Sequence, residues 1–105
     1  MNKFFSFLGI AKRSGNILEG YSKCNEQRNK IKLAMFIISI DASESTRKKF
    51  KKHCEVNNIP YIEDFSKEEL GAAVGRPEVK ILAILDKNIS KKLMVLYGEE
   101  NNELN

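Results

Sequence analysis

The residue types that most often perform catalysis or bind metal ions are scarce in this chain. Cys24 and Cys54 are its two cysteines, neither has a second cysteine at CxxC spacing, and His53 is the single histidine. A structural zinc site needs about four ligands at characteristic spacings, which these three residues cannot supply. We therefore predict two reduced, partly buried thiols, no metal site and no cofactor.

The positions of the other reactive side chains also argue against catalysis. His53 and Cys54 are adjacent, and neighbouring residues on a helix point about 100° apart, so they cannot easily share a proton. Asp41, Asp64 and Asp86 border apolar runs, where helix capping and loop solvation account for them. The chain has no glycine-rich phosphate loop. We predict no catalytic residues, no enzyme activity and no small-molecule substrate.

Positive charge is concentrated in the first third of the chain. The formal net charge is +4. Residues 1–32 contain seven Lys or Arg against two Asp or Glu, residues 33–58 contain five against three, and residues 59–86 contain three against six. Nucleic acid is the commonest anionic partner of such a patch. The charge distribution therefore favours a nucleic-acid partner, and we predict no membrane partner.

Length and hydropathy indicate one cytoplasmic domain. A chain of 105 residues forms a single hydrophobic core. Its strongest apolar run, residues 33–40, is far too short to cross a bilayer. Residues 1–10 are apolar, but Lys12 and Arg13 follow at once without a small-residue cleavage pattern. This segment is therefore predicted to be a helix and not a signal peptide.

Hydrophobic spacing predicts helices alternating with strands. Ser43 is the predicted cap of one helix, and Ser66 with Glu69 forms a capping box at another. Helices are predicted over residues 3–13, 20–31, 44–57, 67–74 and 90–97. Strands are predicted over residues 33–40, 59–62 and 79–85, and residues 16–19 are a short extended link. Val56 is predicted to face inward with Phe50 and Cys54. Such alternation places a sheet between helices on both of its faces.

Several of these segments, in this order and spacing, resemble one known family. The matching segments are Leu8–Gly15, Gly20 at the start of the second helix, the strand that ends in Asp41–Ser43, Asn58–Ile62, and Ser66–Gly75. The chain resembles the ribosomal L7Ae/L30e superfamily of kink-turn RNA-binding proteins, and most closely its small bacterial YlxQ-like branch. The resemblance covers about residues 3–93.

The resemblance implies a fold, a function and partners. The fold would be a three-layer α/β/α sandwich around a four-stranded mixed sheet, with one domain over residues 1–98 and a polar tail over residues 99–105. The function would be non-catalytic recognition of structured, kink-turn-like RNA by a ribosomal or ribosome-associated protein. The implied partners are ribosomal RNA and the ribosome.

The resemblance also implies where RNA would bind. The family reads the kink with the turn that opens the second helix, where a helix N-terminus presents N–H donors and Gly20 allows close approach. Lys23, and more weakly Ser22, can donate to the O6 and N7 acceptors of a guanine. The complete predicted site is Lys12, Arg13, Asn16, Gly20, Tyr21, Ser22, Lys23, Arg76, Pro77 and Val79.

Three alternatives stay open at this point. The loop of residues 76–79 lies where the family covers an extruded nucleotide with an apolar side chain, which Val79 or Pro77 could supply, but Val79 can instead simply begin the strand. The basic run Arg47–Lys52 is better explained as the solvated face of a helix that the family places away from the turn. The family commonly has Asn-Glu or Lys-Gln where Ser22 and Lys23 stand, and lysine where Glu26 stands. A protein-interaction module that keeps the fold but has lost kink-turn recognition is therefore the second functional hypothesis.

Overall fold

The computed structural model describes residues 2–103, which form five helices and four strands. In chain order the elements are α1 (Asn2–Arg13), β1 (Ile17–Glu19), α2 (Tyr21–Gln27), β2 (Met35–Ile38), α3 (Glu44–Asn57), β3 (Tyr61–Ile62), α4 (Lys67–Ala73), β4 (Ile81–Ile84) and α5 (Lys87–Glu103).

The strands form one mixed sheet in the order β1-β4-β2-β3. Strand β4 runs antiparallel to both of its neighbours, while β2 and β3 are parallel. Every residue of β2 and β4 is buried, because these two strands are central and covered on both faces. This burial explains why their sequences are continuously apolar instead of alternating.

Alternate side chains of the central strands enter two separate hydrophobic clusters. Met35 and Ile37 pack on the face covered by α1, α4 and α5, whereas Phe36 and Ile38 pack on the face covered by α2 and α3. This alternation follows from the two-residue period of a strand. The predicted three-layer α/β/α sandwich with a four-stranded mixed sheet is confirmed.

Side-chain caps fix the starts of the two helices for which they were predicted. The Ser43 hydroxyl accepts a hydrogen bond from the Thr46 N–H at the start of α3. At the start of α4, the Ser66 hydroxyl accepts from the Glu69 N–H, and the Glu69 carboxylate accepts from the Ser66 N–H. Both predicted caps are confirmed, and they satisfy N–H groups that a helix leaves unpaired.

Several element boundaries differ from the prediction. Residues 17–19 form strand β1 and not a link, because they pair with β4. Helix α2 ends at Gln27 and not near residue 31, since Cys24 is its only fully buried anchor. The central strands are shorter than predicted. Val56 is 70% exposed, so its predicted inward orientation is wrong.

Helix α5 is the largest departure from the prediction. It begins at Lys87, three residues earlier than expected, where Asp86 Oδ1 accepts the Ile89 N–H at 2.9 Å. It continues through Gly98 to Glu103, and Glu100 Oε1 accepts the Phe4 N–H of α1 at 2.9 Å. The part of the predicted frayed tail up to residue 103 is therefore helical, and residues 104 and 105 lie outside the described range.

The contact between α4 and the loop that follows it requires a glycine. A Cβ atom on Gly71 would lie 2.7 Å from the Arg76 carbonyl oxygen and from the Glu78 backbone. Both atoms belong to the main chain and cannot swing aside. Gly71 therefore serves close packing, which holds residues 76–78 against the helix.

Replacing Gly71 with alanine should destabilise the fold. We expect Gly71→Ala to lower the free energy of unfolding by about 1–3 kcal/mol, the usual cost of overpacking. The matched control is Gly98→Ala, where a Cβ meets no atom within 4 Å. Because Gly98 lies within α5, its replacement should raise the free energy of unfolding by about 0.5–1 kcal/mol. Urea denaturation measures both, and a Gly71→Ala protein with the wild-type midpoint would contradict the packing described.

Candidate functional site

A glycine turn joins β1 to α2 at one end of the sheet. Gly20 has φ 91° and ψ 161°, a conformation that side chains disfavour, and its N–H donates to the Ile81 carbonyl at the start of β4 at 2.8 Å. No side chain caps the first turn of α2. The first N–H groups of this helix are therefore left to an outside acceptor.

The side chains around this turn enclose an open depression of about 350 Å³. Six of the ten predicted site residues line it, although they come from α1, from the β1–α2 turn and from the loop after α4. Those six are Lys12, Gly20, Tyr21, Ser22, Lys23 and Arg76. We call this depression the Gly20 pocket; the fold brings together residues that are up to 64 positions apart.

A buried carboxylate organises two cations of the Gly20 pocket. The Glu19 side chain is 8% exposed. Its Oε1 atom pairs with the Lys12 ammonium, and its Oε2 atom lies 3.2 Å from Nη1 of Arg76. The side chains of Lys12 and Arg76 remain 41% and 59% exposed. Glu19 therefore fixes the two cations from below while their outer surfaces stay open to an anion. The sequence analysis assigned Glu19 no role.

Helix α3 contributes a further cation that the sequence analysis did not place here. The Lys49 ammonium donates to the Tyr21 hydroxyl and lies 4.9 Å from the centroid of the Tyr21 ring. The Tyr21 ring packs edge-on against Phe50 at 5.8 Å between centroids. Tyr21 is thus an exposed but anchored side chain. The ammonium lies beyond the hydroxyl end of the ring, so it does not cover either face of the ring.

The basic run on α3 otherwise behaves as predicted. Arg47 and Lys51 both pair with Glu63, at 2.9 and 3.2 Å, and Lys48 pairs with Glu44 one turn earlier. These contacts belong to a solvated helix face. The prediction that the whole run lies away from the Gly20 turn is wrong for Lys49 alone, because that side chain reaches Tyr21.

The other four predicted site residues do not line the Gly20 pocket. Arg13 is exposed and faces a groove of about 510 Å³ between α1 and α4. The Asn16 amide donates to Ser14, and Pro77 is exposed in the loop after α4. Val79 is only 5% exposed and packs in the core. This burial argues against its predicted contact with a nucleotide, because the side chain would first have to leave the core.

The two positions that depart from the family pattern are placed differently. Ser22 lines the Gly20 pocket beside Lys23. Glu26, one turn further along α2, does not line it, and its carboxylate lies 3.8 Å from the Lys30 ammonium. The negative charge of Glu26 is therefore partly neutralised by Lys30 and lies outside the lining of the pocket.

Comparison with known proteins assigns the chain to a family. The model of the Ribosomal protein L7Ae/L30e/S12e/Gadd45 family matches residues 2–94. The chain belongs to this family. It is 30% identical over 90 residues to the RNA-binding protein YlxQ of Enterococcus faecium, covering 86% of each chain. It is 26% identical over 94 residues to the RNA-binding protein YlxQ of Bacillus subtilis (strain 168), covering 90% of this chain and 94% of the relative.

Solved structures share the fold of this family member. A protein of unknown function from Bacillus halodurans C superposes with a TM-score of 0.85 at 29% identity, covering 91% of this chain and 97% of the other. The Giardia lamblia 15.5kD RNA binding protein superposes with a TM-score of 0.75 at 20% identity, covering 88% and 82%. At that identity, the second likeness concerns the fold alone.

The residues that raised the question of catalysis are buried in this family member. Cys24 and Cys54 are free thiols inside the α2–α3 cluster, and burial raises the pKa of each to about 12, so both stay protonated. Among residues 2–103, no group of His, Cys, Asp and Glu could hold a metal ion. No helix within that same range has the length and apolarity to span a bilayer.

His53 has a structural environment instead of a catalytic one. His53 is 8% exposed, and its ring packs against Phe36. Nη1 of Arg28 lies 3.3 Å from Nδ1 of His53. Because arginine can only donate, Nδ1 accepts and the neutral ring carries its proton on Nε2. Burial, and then the charge of Arg28, lower the pKa of His53 below its ordinary value of 6.5.

This environment predicts a loss of stability in mild acid. A lowered pKa in the folded state means that the stabilisation from neutral His53 is fully present above pH 6.5 and is lost as the pH falls through the folded value. His53→Gln keeps an acceptor for Arg28 but does not titrate. We expect the free energy of unfolding, measured by urea denaturation between pH 7 and 5, to fall less in this variant than in wild type.

The carboxylate of Glu63 titrates at lower pH than this test covers. Burial alone would raise the pKa of Glu63, but hydrogen bonds from Arg47 and Lys51 hold that pKa below its ordinary value of 4.5. Its contribution is therefore lost only at more acidic pH, outside the interval measured. Identical slopes for wild type and His53→Gln between pH 7 and 5 would show that His53 is not the titrating group.

Proposed function

We propose that this protein binds structured RNA containing a kink-turn-like bend, and that the Gly20 pocket is the contact site. One observation carries the proposal: three cations, from α1, α2 and the loop after α4, line the pocket around a glycine turn whose N–H groups no side chain caps, and a fourth, from α3, contacts Tyr21 of the pocket. Those cations are Lys12, Lys23, Lys49 and Arg76. The two YlxQ relatives, which are named RNA-binding proteins, support the same class of ligand.

The cations have the geometry that a phosphate backbone needs. Arg76 offers a planar fork that can hold two phosphate oxygens, whereas lysine acts as a point charge. Because Glu19 holds Arg76 and Lys12 from beneath, little side-chain freedom is left to lose when phosphates bind. Glu19 carries one negative charge against the two positive charges of Lys12 and Arg76, so the three side chains together stay positive.

Base recognition is assigned to the first turn of α2. Lys23 is exposed at the pocket and can donate to the O6 and N7 atoms of a guanine edge. Ser22 adds a shorter donor beside it. A kinked RNA displays base edges that the deep, narrow major groove of a regular duplex hides. This requirement is why we propose a bent RNA and not a plain duplex as the specific ligand.

The cellular setting is part of the proposal. Membership of a ribosomal protein family supports ribosomal RNA as the ligand and the ribosome as the assembly, in the cytoplasm and without catalysis. If four cations meet phosphates, the logarithm of the affinity should fall with the logarithm of salt concentration at a slope of about −3.

Reversing the charge of Lys23 tests the proposal directly. Lys23→Glu should abolish binding of a kink-turn hairpin in a gel-shift assay at low salt, because it removes a donor to the base edge and adds an anion. The control is Lys3→Glu, an equal change of net charge at the opposite end of α1 from Lys12, about 14 Å along the helix. Equal binding by wild type and Lys23→Glu would favour the protein-interaction hypothesis instead.

Neutralising Lys49 tests the part of the site that only the fold brought in. Lys49→Gln should weaken hairpin binding and make the salt slope shallower by about 0.7–0.9, the contribution of one cation. Its neighbour Lys48, which is paired with Glu44, provides the control Lys48→Gln and should leave the slope unchanged. A wild-type slope for Lys49→Gln would exclude Lys49 from the phosphate contacts.

A further inference from the structure

A second basic depression lies at the other end of the sheet. It has a volume of about 560 Å³ and is bordered by the end of β4, the starts of β2 and β3, and the first turn of α5. We call it the far groove and define it by Lys32, Ile59, Pro60, Leu85, Lys87 and Lys91.

Strand β4 separates the far groove from the Gly20 pocket. Gly20 is hydrogen-bonded to Ile81 at the start of β4, whereas Leu85 of the far groove follows its last residue. Four residues of strand span about 13 Å. Neither depression shares a lining residue with the other. An RNA segment seated on the Gly20 turn therefore leaves the far groove to a different segment.

The lysines of the far groove are uncompensated. Lys32, Lys87 and Lys91 are exposed, and among residues 2–101, whose side chains the structure describes, no carboxylate forms an ion pair with them. Asp86 adjoins the groove, but its Oδ1 caps α5 through the Ile89 N–H. Like charges held in one concavity repel each other unless an anion binds between them.

The positive surface extends beyond the far groove itself. A neighbouring depression of about 400 Å³ shares Lys32 and Ile59 with it and adds Arg28 and Lys30. Arg28 is directed by hydrogen bonds to Asn25 and His53, and Lys30 lies 3.8 Å from Glu26 with both side chains well exposed. The cations therefore form a band and not an isolated point, as an extended polyanion requires.

The floor of the far groove is apolar. Ile59 is 6% exposed, Leu85 is half-buried and Pro60 is exposed, and all three line the groove together with the lysines. Carbon surface below a cationic rim suits a strand whose phosphates meet the rim and whose sugars lie on the floor. A small inorganic anion would use the rim alone.

From these features we infer that the far groove binds the phosphodiester backbone of a second segment of the same RNA that the Gly20 pocket holds. This inference rests on the proposed function. RNA is favoured over an acidic protein because an RNA anchored at the Gly20 pocket supplies its neighbouring segments at high effective concentration, so even a weak second contact is occupied.

Two RNA probes and one triple variant test the inference. The probes are a kink-turn hairpin with short arms and the same kink-turn with both arms extended. For wild type, the extended RNA should show a salt slope steeper by about 2, as expected when up to three further cations meet phosphates. Lys32→Gln/Lys87→Gln/Lys91→Gln should remove that increment and leave binding of the short hairpin unchanged.

A charge-matched variant separates the groove from net charge. Lys3→Gln/Lys48→Gln/Lys92→Gln removes the same charge from other surfaces and should keep the increment. If the far-groove variant binds the extended RNA with wild-type affinity and slope, or if the control variant loses as much, the inference is overturned. Displacement of the extended arms from the groove by a polyglutamate peptide at equal charge concentration would overturn RNA as its occupant.

The outcomes distinguish this inference from the proposed function. If binding of the short hairpin depends on Lys23 but binding of the extended RNA does not depend on the groove lysines, only the inference about the far groove is rejected. If wild type does not bind the short hairpin but binds the extended RNA in a way that depends on Lys32, Lys87 and Lys91, the Gly20 pocket is rejected as an RNA site and the far groove is supported. Circular dichroism melting of each variant controls for folding, since surface Lys→Gln changes usually alter stability by less than about 0.5 kcal/mol.

Discussion

The pairing of β4 with both of its neighbours is the constraint on which the rest of the molecule depends. Strand β4 is hydrogen-bonded to a neighbour along each of its two edges. All four of its residues are buried and their side chains point to both faces of the sheet, so helices must cover both faces. The two candidate binding surfaces lie at the two ends of the same strand. The Ile81 carbonyl holds the Gly20 turn at one end, and Leu85 leads into the basic groove at the other.

The Gly20 pocket illustrates how a small domain can present charge without a deep cavity. A buried carboxylate, Glu19, lies under two cations and fixes their positions, while Lys49 and Phe50 fix the Tyr21 ring from the neighbouring helix. The pocket thus consists of mutually restrained side chains around a bare main-chain turn. Such restraint reduces the ordering that binding would otherwise require, which suits recognition of a bent polyanion.

The net charge of a sequence segment does not predict the charge of the surface on which its residues lie. The acid-rich stretch of residues 59–86 is partly used internally: Glu63 pairs with Arg47 and Lys51, Asp86 caps α5, and Glu69 closes the capping box of α4. At the Gly20 pocket the cations outnumber the single carboxylate of Glu19, and the lysines of the far groove have no carboxylate partner among the described side chains. A modest overall charge of +4 therefore coexists with two basic surfaces.

The sequence by itself determined the alternation of helices with strands around a central sheet, both serine caps and the two central strands, because hydrophobic period and capping chemistry are local properties. The four-stranded mixed sheet and six residues of the Gly20 pocket were expected from the resemblance to the L7Ae/L30e family. Tertiary structure alone decided the rest. Strand β1 exists only through pairing with β4, Val79 is buried by neighbours distant in sequence, and α5 is prolonged by the hydrogen bond between Glu100 and Phe4. Lys49 reaches Tyr21 across 28 positions, and no local pattern specifies a contact that depends on how two helices pack.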